Sequence, residues 1–85
     1  MQYFVYILYS KFRDRYYIGS SSNPEKRLIR HNAGATQSTK SGKPWEIVYI
    51  QNHLTKSDAL KYEIYLKKIK SRVFLENLIL QSQAK

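Results

Sequence analysis

Cysteine is absent from this 85-residue chain, which excludes disulfide staples, thiolate zinc sites and a cysteine nucleophile. Glycine and proline are scarce, at three and two, and no linker, repeat or low-complexity tract is present. Long apolar runs are missing too. The longest, Tyr3 to Tyr9, falls far short of the roughly 20 residues that span a bilayer. No basic segment precedes it and no small-residue cleavage site follows, so it does not read as a signal peptide. A soluble cytoplasmic protein, with no membrane partner, is the expectation. The length excludes a two-domain enzyme or a large cofactor fold, and a core in so short a chain buries only about 60% of the unfolded surface. One domain over residues 1–80 with a flexible tail at 81–85 is expected.

Acidic residues are few, 6 Asp+Glu against 15 Lys+Arg, for a net charge of +9. The excess is spread through the chain: eight basic and three acidic residues precede Thr55, and seven and three follow. It is therefore no detachable tail. A folded surface of this charge attracts polyanions, of which nucleic acid is the commonest. Aromatics are plentiful, with eight Tyr, three Phe and one Trp. They supply either stacking platforms for bases or the core of a small fold.

The aromatic and β-branched run Tyr3–Tyr9 suits a strand buried on both faces. A polar stretch, residues 10–15, separates it from a second short strand at Tyr16–Gly19, and the two read as a hairpin with a longer loop. Ser20 to Asn23 followed by Pro24 marks a helix start, with Glu25 favouring its positive end and Gly34 ending it after Ala33. A polar loop over 35–44 leads to a strand at Trp45–Ile50. Thr55 or Ser57 then caps a second helix that runs to Ile69, and a third spans Arg72–Leu80. The order β-β-α-β-α-α predicts an α/β (α+β) fold, three strands with helices against them.

Glu63 is the most informative position. It shares an apolar arc of the second helix with Ala59, Leu60, Ile64 and Leu66, and burying a carboxylate there is costly without compensation. Either Lys67, four residues on, pairs with it at the surface, or it faces a cleft and holds a divalent metal. Arg27 and His31 share one face of the first helix, as a phosphate-handling pair or as a solvated face. Tyr6 and Tyr17 stand on neighbouring strands, as core or as hydroxyls beside a charged site.

As an ordered set these residues resemble the GIY-YIG nuclease superfamily, in its small single-domain bacterial branch. The resemblance rests on Val5-Tyr6-Ile7, Tyr17-Ile18-Gly19 eleven residues on, Arg27 with His31, and Glu63. It extends through Lys43-Pro44-Trp45 and Val48-Tyr49 to Lys70-Ser71-Arg72. It implies a three-stranded antiparallel sheet flanked by helices. It also implies a Mg²⁺-dependent (or Mn²⁺-dependent) endonuclease that hydrolyses phosphodiester bonds in DNA, in repair or recombination. Carried over by position, Tyr6 and Tyr17 match the motif tyrosines, Arg27 the arginine that steadies phosphate charge, Glu63 the metal-binding carboxylate and His31 an assisting histidine. The chain departs from the pattern with Ser20 where some repair nucleases have lysine and Tyr62 where the small branch often has arginine. Lys26, Arg30, Lys40, Lys43 and Lys67 are the candidate contacts to nucleic acid. A targeting partner or self-association is expected to supply selectivity. The alternative is a nucleic-acid-binding module on the same fold with weak or no cleavage.

Overall fold

The β-forming side chains from Tyr3 to Tyr9 include no polar row to turn toward water. In the computed structural model, which describes residues 2–83, they form the central strand of a sheet. β1 (Tyr3–Ser10) pairs antiparallel with β2 (Arg15–Ser21) on one side and β3 (Trp45–His53) on the other, giving the order β2-β1-β3. Val5, Tyr6, Ile7 and Leu8 are accordingly buried without a break. Alternation sends Val5 and Ile7 to one face and Tyr6 and Leu8 to the other.

Three α-helices and one 3-10 turn complete the described residues: α1 (Pro24–Asn32), the turn at Gln37–Gly42, α2 (Lys56–Ile69) and α3 (Arg72–Gln83). The expected order and α+β class are those observed. Asn23 caps α1 by accepting from the Lys26 N–H, Pro24 opens the helix, and Gly34 follows its end at a φ of 78°. Of the two candidate caps for α2, Thr55 accepts from the Asp58 N–H.

Several boundaries differ from expectation. β2 spans Arg15–Ser21 rather than Tyr16–Gly19, because Arg15, Ser20 and Ser21 pair with β1, which takes Ser20 and Ser21 out of the expected helix start. β3 continues past Ile50 to His53 because Gln51, Asn52 and His53 keep pairing with β1, and an edge strand carries polar side chains at no cost. The polar segment 35–44 contains the 3-10 turn. α3 passes Leu80 with no glycine or proline to stop it, so residues 81–83 of the expected tail are helical; Ala84 and Lys85 lie outside the described residues.

The helices divide between the two faces of the sheet. Tyr6, Leu8 and Trp45 pack with Tyr17, Ile47 and Leu28 of α1. On the opposite face Val5 packs with Ala59 and Leu66 of α2 and with Phe74 and Leu75 of α3. Ile7, Tyr49 and Ile79 extend that layer. The α2 surface is narrower than the apolar arc suggested. Ala59 and Leu66 are buried, whereas Leu60 and Ile64 are 40% and 52% exposed, so Glu63 borders the packed stripe. Arg72 fixes the start of α3 to the β1–β2 turn. It donates to the Asp14 carbonyl at 2.8 Å, pairs with the Asp14 and Glu76 carboxylates, and lies over the Tyr16 ring. No helix among the described residues is long and apolar enough to cross a membrane.

Leu66 is 1% exposed and Leu54 is 79% exposed. Leu66→Ala is expected to cost about 2–5 kcal/mol and Leu54→Ala less than about 0.5 kcal/mol, compared by denaturant midpoints. Equal effects would contradict this placement of the core.

Candidate active site

The pairing register brings the two motif tyrosines onto one face. Tyr6 lies opposite Gly19, and Tyr17 lies opposite Leu8, two positions along β1 from Tyr6. Tyr6 then reaches outward across β2. A Cβ built on Gly19 would sit 2.6 Å from the Tyr6 Oη and 2.7 Å from its Cζ, so glycine here supplies space for the ring.

α1 brings Arg27 and His31 to this hydroxyl. His31 is buried, 2% exposed, which rules out a solvated face for it; Arg27 stays exposed. The His31 Nε2 lies 3.4 Å from the Tyr6 Oη, and its Nδ1 lies 2.8 Å from the Thr39 Oγ1. The Thr39 hydroxyl donates its one proton to the Thr36 carbonyl at 3.3 Å. It therefore accepts from the His31 Nδ1–H, and this network assigns Nε2 as the lone pair facing Tyr6. Tyr17 closes the other side of the imidazole, with ring centroids 5.0 Å apart.

α2 approaches the same edge of β2 from the opposite face of the sheet. Glu63 accepts from the Ser20 hydroxyl at 2.6 Å through Oε1 and from the Lys67 ammonium at 2.6 Å through Oε2. Its side chain is only 14% exposed. The surface-pair alternative is thus half realised: Lys67 does pair with Glu63, but the carboxylate is sheltered and tied to β2.

Burial and nearby charges both act on the Tyr6 hydroxyl. Burial raises the Tyr6 pKa above its ordinary value, the Arg27 guanidinium beside it pulls the other way, and Tyr17 and Glu63 add smaller upward effects. Burial, then the charges of Arg27 and Arg30, lower the His31 pKa. Tyr6, Tyr17, Arg27 and His31 gather on one face of the sheet, and Glu63, bonded to Ser20 next to Gly19, completes the constellation from the other face. It offers a guanidinium for a phosphate, a neutral imidazole to take a proton, and a carboxylate.

Among the described residues no three carboxylate or imidazole groups cluster to hold a metal. Glu63 is the carboxylate available, with the Ser20 hydroxyl oxygen 2.6 Å from it. A single carboxylate among oxygen donors fits Mg²⁺ or Mn²⁺, which keep waters and take phosphate oxygens as further ligands. Of the candidate nucleic-acid contacts, Lys26 and Arg30 are exposed on α1, while Lys40 and Lys43 meet at Gly34 beyond its end. Lys67 is engaged with Glu63 instead. Sequence reasoning missed Thr39, which nothing in its polar loop marks out. It read Ser20 as part of the helix start and as an absent lysine, and the bond to Glu63 shows only once α2 packs against β2.

A family model described as the GIY-YIG catalytic domain matches residues 2–77. A structure-specific endonuclease subunit SLX1 of Phaeosphaeria nodorum is 43% identical over 67 residues, covering 72% of this chain and 18% of that protein. The chain thus spans about a fifth of the fungal SLX1 relatives it matches, 18% and 20% of two of them. A UPF0213 protein of Staphylococcus epidermidis is 40% identical over 68 residues, 78% of this chain and 80% of that one. The solution structure of a UPF0213 protein from Bacillus halodurans superposes with a TM-score of 0.58 at 28% identity, covering 95% of this chain and 85% of its own.

Two outcomes follow from this geometry. Gly19→Ala forces the Tyr6 ring aside and is expected to cost about 1–3 kcal/mol, with a shift of the Tyr6 ring resonances; an unmoved ring would contradict the close approach. The second concerns acid. The folded protein binds a proton on His31 less readily than the unfolded chain, whose histidine titrates near about 6.5. Stability is therefore full above that value and declines as pH falls through it toward the lowered folded-state pKa. Denaturant midpoints should drop more for the wild type than for His31→Gln between about pH 7.5 and pH 5.5; parallel drops would refute the assignment.

Proposed function

The chain belongs to the GIY-YIG catalytic domain family, and on that premise we propose that it is a divalent-metal-dependent endonuclease hydrolysing phosphodiester bonds in DNA. The convergence of Tyr6, Tyr17, Arg27, His31 and Glu63 at one edge of the sheet carries this reading. The exposed guanidinium of Arg27 binds the non-bridging oxygens of the scissile phosphate. Tyr6 orients the attacking water. As the water loses a proton to the phenol oxygen, the phenol proton passes to His31 Nε2, which is neutral near pH 7 because its pKa is lowered. Thr39 keeps that nitrogen free by accepting from the other. Ser20 and Lys67 hold the Glu63 carboxylate in place. Glu63 would hold the metal, which supplies positive charge to the phosphate and the leaving oxygen.

The net charge of +9 gathers the polyanion before any chemistry. Branched duplexes are the proposed substrates, with repair or recombination as the setting and a targeting partner or self-association supplying selectivity. The name of the SLX1 relatives, structure-specific endonuclease subunits, supports this. One observation favours the second reading, a binding module with feeble cleavage: both oxygens of Glu63 are engaged by Ser20 and Lys67.

Incubation of branched and linear duplexes with Mg²⁺, Mn²⁺ or chelator divides the two. Cutting should require the ion. Glu63→Gln should abolish it while retaining or improving DNA binding, and Arg27→Ala should slow it about 10²-fold. Cutting by Glu63→Gln at the wild-type rate would overturn the metal assignment, and a wild type that binds without cutting would favour the binding module.

A further inference from the structure

Beside the site, a cleft of about 440 Å³ runs between the start of β2 and the junction of α2 with α3. Arg15, Lys67, Lys70 and Arg72 line it together with an apolar floor that includes Ile18 and Leu66. It adjoins Glu63 through Lys67, which lines the cleft and is bonded to that carboxylate.

Its charge is one-sided. The one acidic lining residue, Asp14, is already engaged by Arg72 and by the Tyr9 hydroxyl. Arg15 and Lys70 enter no ion pair among the described residues. Two cations thus face an open cleft with no carboxylate to answer them.

The backbone draws attention to the same place. The non-glycine residues with positive φ among those described are Asp14 at 53° and Lys70 at 49°, and both line this cleft. The Arg72 clamp and the Tyr9 hydroxyl account for Asp14. Lys70 ends α2 in a left-handed conformation, where glycine is the favoured residue. The helix dipole does not require a lysine there, because Lys67 and Lys68 already occupy the last turn. A cation is held at this position against the local backbone preference, and such departures cluster at ligand clamps.

We propose that this cleft is a second phosphate subsite. In it Arg15 and Lys70 bind backbone phosphates of the DNA strand that flanks the scissile bond, and Lys67 stands between the two sites. The choice of ligand rests on the endonuclease reading above; the subsite and its residues go beyond it.

The test is the salt dependence of binding to a short labelled duplex in chelator, with thermal midpoints in parallel. Each neutralised duplex phosphate contributes about −0.9 to the slope of log K against log salt. Lys70→Gly should therefore flatten the slope by about one while keeping or raising the thermal midpoint, since glycine suits the backbone there. Arg15→Ala with Lys70→Gly should flatten it by about two. Lys56→Ala with Lys61→Ala, outside the cleft, removes the same net charge and should leave the slope nearly unchanged. An unchanged slope in the cleft double variant, an equal change in the charge-matched control, or a wild type without salt-dependent binding overturns the proposal. Cutting of the same duplex in Mn²⁺ is scored separately. A wild type that shows the slope pattern but never cuts retains the subsite and loses the endonuclease reading.

Discussion

The candidate chemistry depends on one close approach, the Tyr6 ring against Gly19. Tyr6 belongs to the buried central strand, whereas its hydroxyl serves a site at the outer edge of β2. Only a residue without a side chain on the intervening strand allows the ring to reach there. Gly19 is not among the residues with positive φ, so its service is room rather than backbone freedom. Arg27 and His31 meet the hydroxyl from α1 on one face, and Glu63 comes from α2 on the other.

Around that contact, polar groups fix one another's states. Thr39 is fully buried, and its single proton goes to a backbone carbonyl, which leaves His31 one protonation pattern at neutral pH. The Trp45 indole donates to the Thr39 carbonyl at 2.8 Å, anchoring the 3-10 turn beneath the imidazole. Glu63 would be costly to shelter alone; Ser20 and Lys67 offset that cost. Burial, then the charges of Arg27 and Arg30, lower the His31 pKa, and both oxygens of Glu63 are bonded, one to Ser20 and one to Lys67.

Much of this was legible in the residues. The uninterrupted β-forming run gave the central strand, Asn23-Pro24 and Gly34 bounded α1, and a carboxylate beside Ala59 and Leu66 stood out because burial penalises it. The family resemblance, not spacing alone, named Tyr6, Tyr17, Arg27, His31 and Glu63 as one set. What stayed hidden depended on tertiary partners. Thr39 resembles its neighbours until the fold places it under His31, and Ser20 becomes meaningful only once α2 packs against β2. The β3 extension was obscured because polar residues on an edge strand imitate a loop. Leu60 and Ile64 looked buried because a helical wheel shows which residues share a face, not how much of it the sheet covers.

The location of the constellation across two layers also bears on quality control. Its guanidinium and imidazole arrive with one helix layer and its carboxylate with the other, so a chain with either layer undocked has an incomplete set of reactive groups. Completion of the set is thereby tied to finished folding, and a nascent or partly melted molecule keeps the net charge of +9 but lacks the full group of side chains.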